Sequence, residues 1–192
     1  MTRLFKARRG FCFWTYRVFV YAVGQMDTNS LAALPIRRNR ALFLKELLSE
    51  VSDALESRLG PEEAESLIAV VGGRIGEAMD REYKSIFELE RFNAHQIAHL
   101  LVDLKSRIDG GFAIESIDDE KIVLVNDQCP FGEHVNGRPA FCMMTSNVFG
   151  WIAAKNLGYA SVELAKTLAE GHGGCRVVIH LDVGKPGREY FA

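Results

Sequence analysis

The sequence has no long apolar run and no excess of charge of either sign. It contains no stretch of 18 consecutive apolar residues, so no segment is expected to cross a membrane as a helix. Its 23 Lys and Arg residues nearly balance its 25 Asp and Glu residues, which leaves a net charge of −2. This balance predicts neither a basic surface for nucleic acid nor an acidic solvated tail. We therefore expect a cytoplasmic protein that binds neither membranes nor nucleic acid directly.

Cysteine is scarce, and its spacing is informative. The chain of 192 residues has four cysteines, and none of them forms the Cys-x-x-Cys pair that is usual in zinc knuckles. Cys12 stands apart, whereas Cys129, Cys142 and Cys175 fall in one stretch whose turns are marked by Gly and Pro. Three thiols in a cytosolic chain are more typical of metal or redox chemistry than of a disulfide framework.

Residues 1–40 are expected to be an N-terminal extension or linker. Residues 1–26 begin with basic residues and continue into an apolar, aromatic run. Three interpretations stay open for them: a signal peptide, an element that packs on the domain, or a start codon placed too early, with the native chain beginning at Met26. Residues 27–40 are polar and contain three arginines, which is typical of a solvated linker.

The helical half is predicted to span residues 41–108. Residues 41–59 and 61–80 read as helices, and 84–108 as a third helical region. The first helix has an apolar stripe made of Leu44, Leu47, Leu48, Val51, Leu55 and Leu59. The second contains Gly72, Gly73 and Gly76, which indicate close helix packing rather than a phosphate loop, because no Lys-Ser/Thr ending is present.

Two histidines share a face of the third helix. His95 and His99 are four residues apart, but no glutamate lies between them, so the zinc-protease motif is excluded. They are either part of a half-buried or surface face, or they hydrogen-bond an effector.

The second half, residues 111–182, is predicted to mix strands and helices. Strands at 112–117 and 121–125 form a hairpin, and a helix spans 141–157. We predict another helix at 159–170, a last strand at 176–181 and a loose tail at 184–192. The fold class is α+β, with N-terminal helices packed on a small antiparallel sheet with further helices. Residues 41–183 form a single domain in this interpretation.

The predicted topology gives the three thiols a reason to meet. Cys129 follows a strand, Cys142 begins a helix, whose dipole lowers a thiol pKa, and Cys175 precedes the last strand. If the last strand pairs antiparallel with 121–127, all three reach one edge of the sheet. They would then supply most of a tetrahedral zinc site. An iron–sulfur cluster is a less favoured alternative. The other alternative is that the three cysteines are separate buried core residues without a common role.

The fourth ligand of such a site is left open. His172 lies three residues before Cys175, and His134 lies five residues after Cys129; Glu133 and Glu170 are the oxygen candidates. Four protein ligands would make a closed structural site, whereas three would leave an open, responsive one.

Several runs in the second half resemble a known family. They are Cys129–Gly132, Cys142–Gly150, Ile152–Ala154, Gly158–Ala160 with Val162, and the closing Gly171, Cys175, Val177 and Ile179. These runs resemble the methanogen output domain of bacterial and archaeal regulators, over roughly residues 40–182. A more distant similarity is to the 4-vinyl reductase domain.

The resemblance implies an α+β fold, a helix pair that dimerises, and a small effector in a pocket beside a zinc held by cysteines and a carboxylate. Cys142 and Cys175 match that cysteine pattern, and Glu170 would stand for the carboxylate. The 4-vinyl reductase relatives have a cluster of two cysteines late in the domain, and this sequence keeps only Cys175 of that cluster. Cys129 would therefore replace the missing thiol. The sequence shows no DNA-binding or ATPase module, so a regulatory output would pass through a protein partner.

We expect a stand-alone sensory domain of signal transduction or transcriptional regulation. It would bind a small hydrophobic effector near His95, His99, Phe149 and Trp151 and form a homodimer through its helical half. The alternatives are a cysteine-dependent enzyme, either a thiol hydrolase or reductase-like, and an adaptor protein with inert thiols. No catalytic residue is assigned.

Overall fold

The computed structural model describes residues 35–36 and 39–192. Residues Arg40–Ala192 form one compact unit. The three interpretations of residues 1–26, and most of the predicted linker, lie outside the described residues.

The predicted α+β fold class is confirmed. The described residues contain four α-helices and five β-strands. In chain order they are α1 (Arg40–Leu59), α2 (Pro61–Phe87), α3 (Ala94–Ser106), β1 (Phe112–Ile117), β2 (Lys121–Asn126), α4 (Ala140–Leu157), β3 (Tyr159–Lys166), β4 (Cys175–His180) and β5 (Arg188–Phe191). Two short 3₁₀ helices, Gly132–Val135 and Leu168–Glu170, lie in the connections. No helix in this part of the chain combines the length and apolar character needed to span a membrane.

The boundaries of α2 and α3 differ from the sequence prediction. The second helix continues to Phe87 and ends where Glu88 adopts a left-handed conformation with φ of 53°. The third helix begins later than predicted because Asn93 caps it. The Asn93 side chain accepts from the Gln96 N–H, and the Gln96 side chain accepts from the Asn93 N–H, both at 2.9 Å.

The glycines of α2 lie against α4. A Cβ atom at Gly72 would lie 2.9 Å from the Asn147 Cβ, and one at Gly76 would lie 3.3 Å from the Val148 Cα. Any larger side chain would push the two helices apart. The prediction of close helix packing at these glycines is confirmed.

The strands form one antiparallel sheet in the order β1-β2-β4-β3-β5. The expected pairing of the last predicted strand with the second is present, and its register places Cys175 opposite Asn126. The main core lies between this sheet, α3 and α4. Its large, fully buried side chains include Ile97, Leu101, Leu124, Phe149, Ile152 and Ile179.

The prediction of a helix at 159–170 is wrong. Residues Tyr159–Lys166 form β3, and only the short 3₁₀ helix at Leu168–Glu170 follows. Ala, Leu, Glu and Lys favour helices, but β3 pairs on both sides, with β4 and β5. Ala160, Ser161 and Val162 are buried within the sheet, and this tertiary environment overrides local preference.

The prediction of a loose C-terminal tail is also wrong. Residues Arg188–Phe191 form β5, which pairs antiparallel with β3. The Tyr190 ring packs so closely over α4 that a Cβ at Gly150 would lie 2.1 Å from the ring. The Tyr190 hydroxyl also shares a hydrogen bond of 3.0 Å with the Ser146 hydroxyl.

Helix α1 turns its apolar stripe outward. Its buried residues are Ser49 and Ser52, and the Ser52 Oγ is buried without a hydrogen-bond partner among the described residues. Six large apolar side chains of α1 are 41–57% exposed: Phe43, Leu44, Leu47, Leu48, Val51 and Leu59.

Candidate functional site

The three clustered cysteines border one small cavity. Cys129 lies in the loop that leaves β2, Cys142 in the first turn of α4, and Cys175 at the first position of β4. The cavity has a volume of about 30 Å³ and a mainly apolar wall. Its lining includes the three cysteines, the rings of Phe112, Phe131 and Phe141, and the side chains of Asn126, Thr145 and Thr167. The fold thus brings three thiols from three elements to one place.

Hydrogen bonds hold the strand ends around this cavity. The Asn126 side chain accepts from the Cys175 backbone N–H at 3.1 Å and donates to the Gln128 carbonyl at 2.7 Å. The Leu168 N–H donates to the Cys175 sulfur at 3.4 Å. These contacts connect the loop of Cys129 with the start of β4.

Burial controls the acidity of the thiols. Burial, together with the smaller effect of the neighbouring Cys175 and Cys129 sulfurs, raises the pKa of Cys142 to about 11. Burial also raises the pKa of Cys175, although the hydrogen bond from the Leu168 N–H acts against it. The expectation that a helix start lowers the pKa of Cys142 is wrong, because desolvation is the larger effect. Both thiols are protonated at neutral pH in the absence of a metal.

Lys105 is a buried cation beside the thiols that sequence reasoning missed. Its residue exposure is only 5%, and its ammonium donates to the Thr145 hydroxyl at 2.8 Å. The Nζ atom lies 5.2 Å from the centroid of the Phe149 ring and 5.7 Å from that of Phe112. Burial lowers the pKa of Lys105 to about 8, while the three cysteines act to raise it. The sequence did contain an indication that Lys105 is buried. Ile97, Leu101 and Lys105 follow each other at four-residue steps, so they share one face of the helix.

None of the four candidates for a fourth metal ligand lines the cavity. Glu170 accepts a hydrogen bond from the Thr167 hydroxyl at 2.8 Å, and its side chain is 56% exposed. His172 forms a hydrogen bond of 3.1 Å with the Thr167 carbonyl. Glu133 and His134 lie in the 3₁₀ helix, where Glu133 borders a separate, outer cleft.

The donor set suits a soft metal in chemistry but is not closed around an ion. Three sulfur donors are the ligands that zinc and similar metals prefer. Among residues 35–36 and 39–192, however, no group of three or more His, Cys, Asp or Glu side chains is placed to hold a metal ion. Metal uptake would therefore require the sulfurs to move toward the cavity centre.

A second, larger cavity lies between the end of α2 and the outer face of α3. This groove has a volume of about 510 Å³. Its apolar lining consists of Ile86, Phe87, Leu89, Phe92 and Leu100. Phe87 meets Phe92 edge to face, with 6.2 Å between ring centroids. The groove thus offers a preformed aromatic and aliphatic wall.

Polar groups line the other side of the groove. His95 and His99 stand on the exposed face of α3, with Gln96 between them. At one end, Asp103 accepts hydrogen bonds from the Tyr83 hydroxyl and from Arg107, the latter at 2.7 Å. Burial and this hydrogen bond to Asp103 raise the pKa of Tyr83 to about 12. The Tyr83 hydroxyl is therefore neutral at physiological pH.

The structure separates the four residues predicted to contact a ligand. His95 and His99 line the groove, whereas Phe149 is fully buried in the core beside Phe112 and Lys105. Trp151 is half-buried near Gly73 of α2, and Lys155 lies 5.7 Å from its ring centroid. Only the histidine pair is therefore at the groove.

Comparison with known proteins gives a family and a fold. A family model described as methanogen output domain 1 matches residues 47–180, which is more than half of the chain. No curated protein sequence matches significantly. The similarity to the 4-vinyl reductase domain stays a prediction.

Two solved structures share the fold at low sequence identity. One is the phenol-responsive sensory domain of the transcription activator PoxR with phenol, at 13% identity and a TM-score of 0.58, covering 88% of this chain and 91% of that one. The other is trafficking protein particle complex subunit 3 from Naegleria fowleri, covalently bound to palmitic acid. It has 16% identity and a TM-score of 0.53, covering 73% of this chain and 96% of that one.

Proposed function

The chain belongs to the methanogen output domain 1 family, and from this premise we propose that it is a sensory domain that binds a small, largely apolar ligand. The observation that carries the proposal is the groove of about 510 Å³ between α2 and α3. Ligand sites of proteins are commonly concave, mainly apolar and about 300–1,000 Å³ in volume, with a few polar groups that orient the ligand. In the groove, His95 and His99 are the orienting groups.

The relative size of the two cavities favours the groove as the ligand site. An apolar cavity of about 150 Å³ accepts one benzene molecule. The cysteine cavity, at about 30 Å³, is too small for an aromatic ring, whereas the groove is large enough for one. The two structural neighbours carry phenol and palmitic acid, both of which have an apolar body. This supports a ligand of the same general character.

Calorimetric titration with phenol and 2-naphthol tests the groove. We expect binding by the full chain, and a loss of at least about tenfold in affinity for Ile86→Asp, because a charge would replace part of the apolar wall. Val183→Asp is a matched control, since Val183 is 72% exposed and Ile86 is 69% exposed, but Val183 lies after β4, away from the groove. Equal affinities of Ile86→Asp and wild type would contradict the proposed site.

We also propose that Cys129, Cys142 and Cys175 hold one soft metal ion, zinc in preference to an iron–sulfur cluster. The three sulfurs, the enclosed cavity and the nearby buried cation support this proposal. A bound zinc ion would supply a cross-link between the ends of three elements, and structural zinc sites contribute directly to folding free energy. The high pKa of Cys142 is unfavourable for the alternative of a thiol hydrolase, because the thiolate is the nucleophile.

The output is proposed to pass through a homodimer and a regulatory protein partner. The outward stripe of α1 supports the dimer, since Leu44, Leu47 and Val51 are 46–47% exposed while the serines of the same helix face inward. Contiguous exposed apolar surface of this kind is typical of an interaction face. A second copy of the chain would cover the stripe.

A further inference from the structure

A buried hydrogen-bond network reaches the wall of the groove from inside the protein. Asn156 of α4 and Asp80 of α2 are 4% and 3% exposed, so both side chains are shielded from water. The Asn156 side-chain oxygen accepts from the Phe92 backbone N–H at 3.0 Å. Its nitrogen donates to the Asp80 carboxylate at 2.7 Å and to the Ile152 carbonyl at 2.8 Å. Because Phe92 lines the groove, the network joins α2 and α4 to the groove wall.

Asp80 determines which way the Asn156 amide points. A carboxylate accepts hydrogen bonds and donates none, so it requires the amide nitrogen on its side and leaves the amide oxygen for the Phe92 N–H. The other carboxylate oxygen of Asp80 pairs with the Lys84 ammonium at 2.7 Å, which balances the buried charge. A polar network whose buried groups have partners holds its members in one arrangement. Two side chains distant in the sequence therefore specify the position of the Phe92 backbone.

The network acts on the loop between α2 and α3, which carries Leu89 and Phe92 of the groove wall. This loop leaves α2 through a residue in the left-handed conformation and ends at Asn93, which caps α3. Between these two points the Phe92 N–H is bonded to Asn156 of α4. The Phe92 ring in turn meets the Phe87 ring edge to face. Loss of the bond to Asn156 would therefore loosen the aromatic part of the wall.

We propose that Asn156 is a positioning residue of the ligand groove, which holds Phe92 in place before a ligand arrives, and that Asp80 orients its amide for this task. The proposal rests on the proposed binding of a small, largely apolar ligand in the groove. Asn156 is buried behind the wall, so it acts through Phe92 and does not touch the ligand. A wall that is already ordered spares the ligand the cost of ordering it.

Calorimetric titration of the full chain with 2-naphthol tests the proposal. For Asn156→Ala we expect a loss of about 3- to 10-fold in affinity, because the ligand must then order a wall that the wild type holds ready. The titration is made at a temperature at which circular dichroism shows the variant to be folded. A role in stability alone would lower the unfolding temperature and leave the affinity of the folded protein unchanged, which would overturn the proposal.

Amide hydrogen exchange reads the state of the loop directly. In Asn156→Ala the segment 88–93 should exchange faster than in wild type, because the Phe92 N–H loses its acceptor. Asn147→Ala is the matched control, since Asn147 is a buried amide of the same helix that donates to the Met143 carbonyl of that helix. It should leave both the affinity and the exchange of the loop as in wild type. If Asn156→Ala does not fold, Asn156→Ser takes its place, because a serine side chain is one bond too short to reach the Phe92 N–H.

Interchange of the two buried polar groups should restore binding. Asn156→Asp alone places a second carboxylate against Asp80, so it should bind 2-naphthol more weakly than wild type. Combined with Asp80→Asn, the carboxylate at position 156 accepts from the Phe92 N–H and from the new amide at position 80, and most of the affinity should return. Equal affinities of the single and the double variant would refute the orienting role of Asp80.

The possible failures are distinguishable. If wild type binds 2-naphthol and the Asn156→Ala or Asn156→Ser variant binds it equally tightly, the positioning role is refuted while the groove stands. Exchange of segment 88–93 at the wild-type rate in that variant would refute it as well. If wild type binds neither 2-naphthol nor phenol, the proposed ligand groove itself is refuted, and this inference with it.

Discussion

Asn126 and Cys175 face each other across strands β2 and β4, and the side chain of the first accepts a hydrogen bond of 3.1 Å from the backbone of the second. The same side chain donates to the Gln128 carbonyl at 2.7 Å. Both its oxygen and its nitrogen are therefore used where the chain leaves one strand and enters another. Asn126 sets the relative position of two of the three clustered thiols.

Replacement of Asn126 by Ala should lower the free energy of unfolding by about 1–3 kcal/mol, because it leaves the Cys175 N–H and the Gln128 carbonyl without these bonds. Urea unfolding of the metal-free protein measures the change. Asn136→Ala is the control, since Asn136 is exposed in the following loop. A change of less than about 0.5 kcal/mol for Asn126→Ala, the usual limit for surface substitutions, would contradict this role.

Replacement of Gly150 by Ala should destabilise the protein even though Gly150 lies inside α4. Glycine-to-alanine changes in helices ordinarily stabilise by about 1 kcal/mol. Here the new methyl group would meet the Tyr190 ring at 2.1 Å, so we expect a loss of about 1–3 kcal/mol in the free energy of unfolding. Thermal unfolding followed by circular dichroism measures it.

The Tyr190 ring provides the internal check on that prediction. In a Tyr190→Ala background the obstacle is gone, so Gly150→Ala should cost nothing further, and the two effects should be strongly non-additive. Gly173→Ala is the control, because a Cβ there would meet no atom within 4 Å. Additive effects of the two substitutions would show that β5 does not pack on α4 as described.

The ion pair of Asp53 and Arg138 predicts acid sensitivity in the attachment of α1. Two hydrogen bonds of 2.7 Å from the Arg138 guanidinium hold the pKa of Asp53 below its usual value of 3.8. A carboxyl group whose pKa is lower in the folded state than in the unfolded state stabilises the fold at pH values above its unfolded-state pKa. This stability is lost as the pH falls through its folded-state pKa. Both side chains are partly exposed, so the contribution is at most about 1 kcal/mol.

Urea unfolding between about pH 5 and pH 2 tests this linkage. Asp53→Asn should be less stable than wild type at pH 5, and the difference should shrink as the pH falls toward 2. Asp119→Asn, in the exposed turn between β1 and β2, should follow the wild-type curve in parallel. A difference between Asp53→Asn and wild type that stays constant with pH would refute the linkage.

Because the apolar stripe of α1 faces outward, we expect the chain to form a dimer that a single charged substitution in the stripe disrupts. Val51→Lys places an ammonium in the middle of the stripe, where burial against a second copy would leave it unpaired, so the chain should become monomeric. Light scattering during size-exclusion chromatography measures the mass. Ser57→Lys adds the same charge at another exposed position of α1 and should leave the dimer intact. A monomeric wild type, or a dimeric Val51→Lys, would contradict the proposed face.

Much of the fold was predictable from local patterns. Residues close together in the sequence were enough to predict the apolar stripe of α1, the Gly60-Pro61 break before α2 and the β1–β2 hairpin. Strand β3 was not predictable in this way. Its residues Ser161 and Val162 pair with β4 on one side and β5 on the other, and β5 itself packs on α4 through Tyr190. Strand structure that depends on partners distant in the sequence cannot be predicted from a short stretch of residues.

The candidate site was predictable only in part for a similar reason. Pairing of β2 with β4 follows from two strand-like runs, and it places Cys175 close to the exit of β2. Lys105 was missed because a lysine in a helix is ordinarily assigned to the solvated face, and only its four-residue spacing from Leu101 indicates otherwise. Phe149 and Trp151 were expected beside the histidines, but α4 packs their part of the chain against α2 and the core.

Helix α2 has 27 residues and is therefore about 40 Å long. Tyr83 and Phe87 border the groove near one end, Gly72 and Gly76 touch α4 near the middle, and Leu67 is exposed toward the other end. The contacts at Gly72 and Gly76 hold the middle of α2 close against α4. If the groove takes up the proposed ligand, a tilt of α2 about these contacts would move the two ends of the helix in opposite directions.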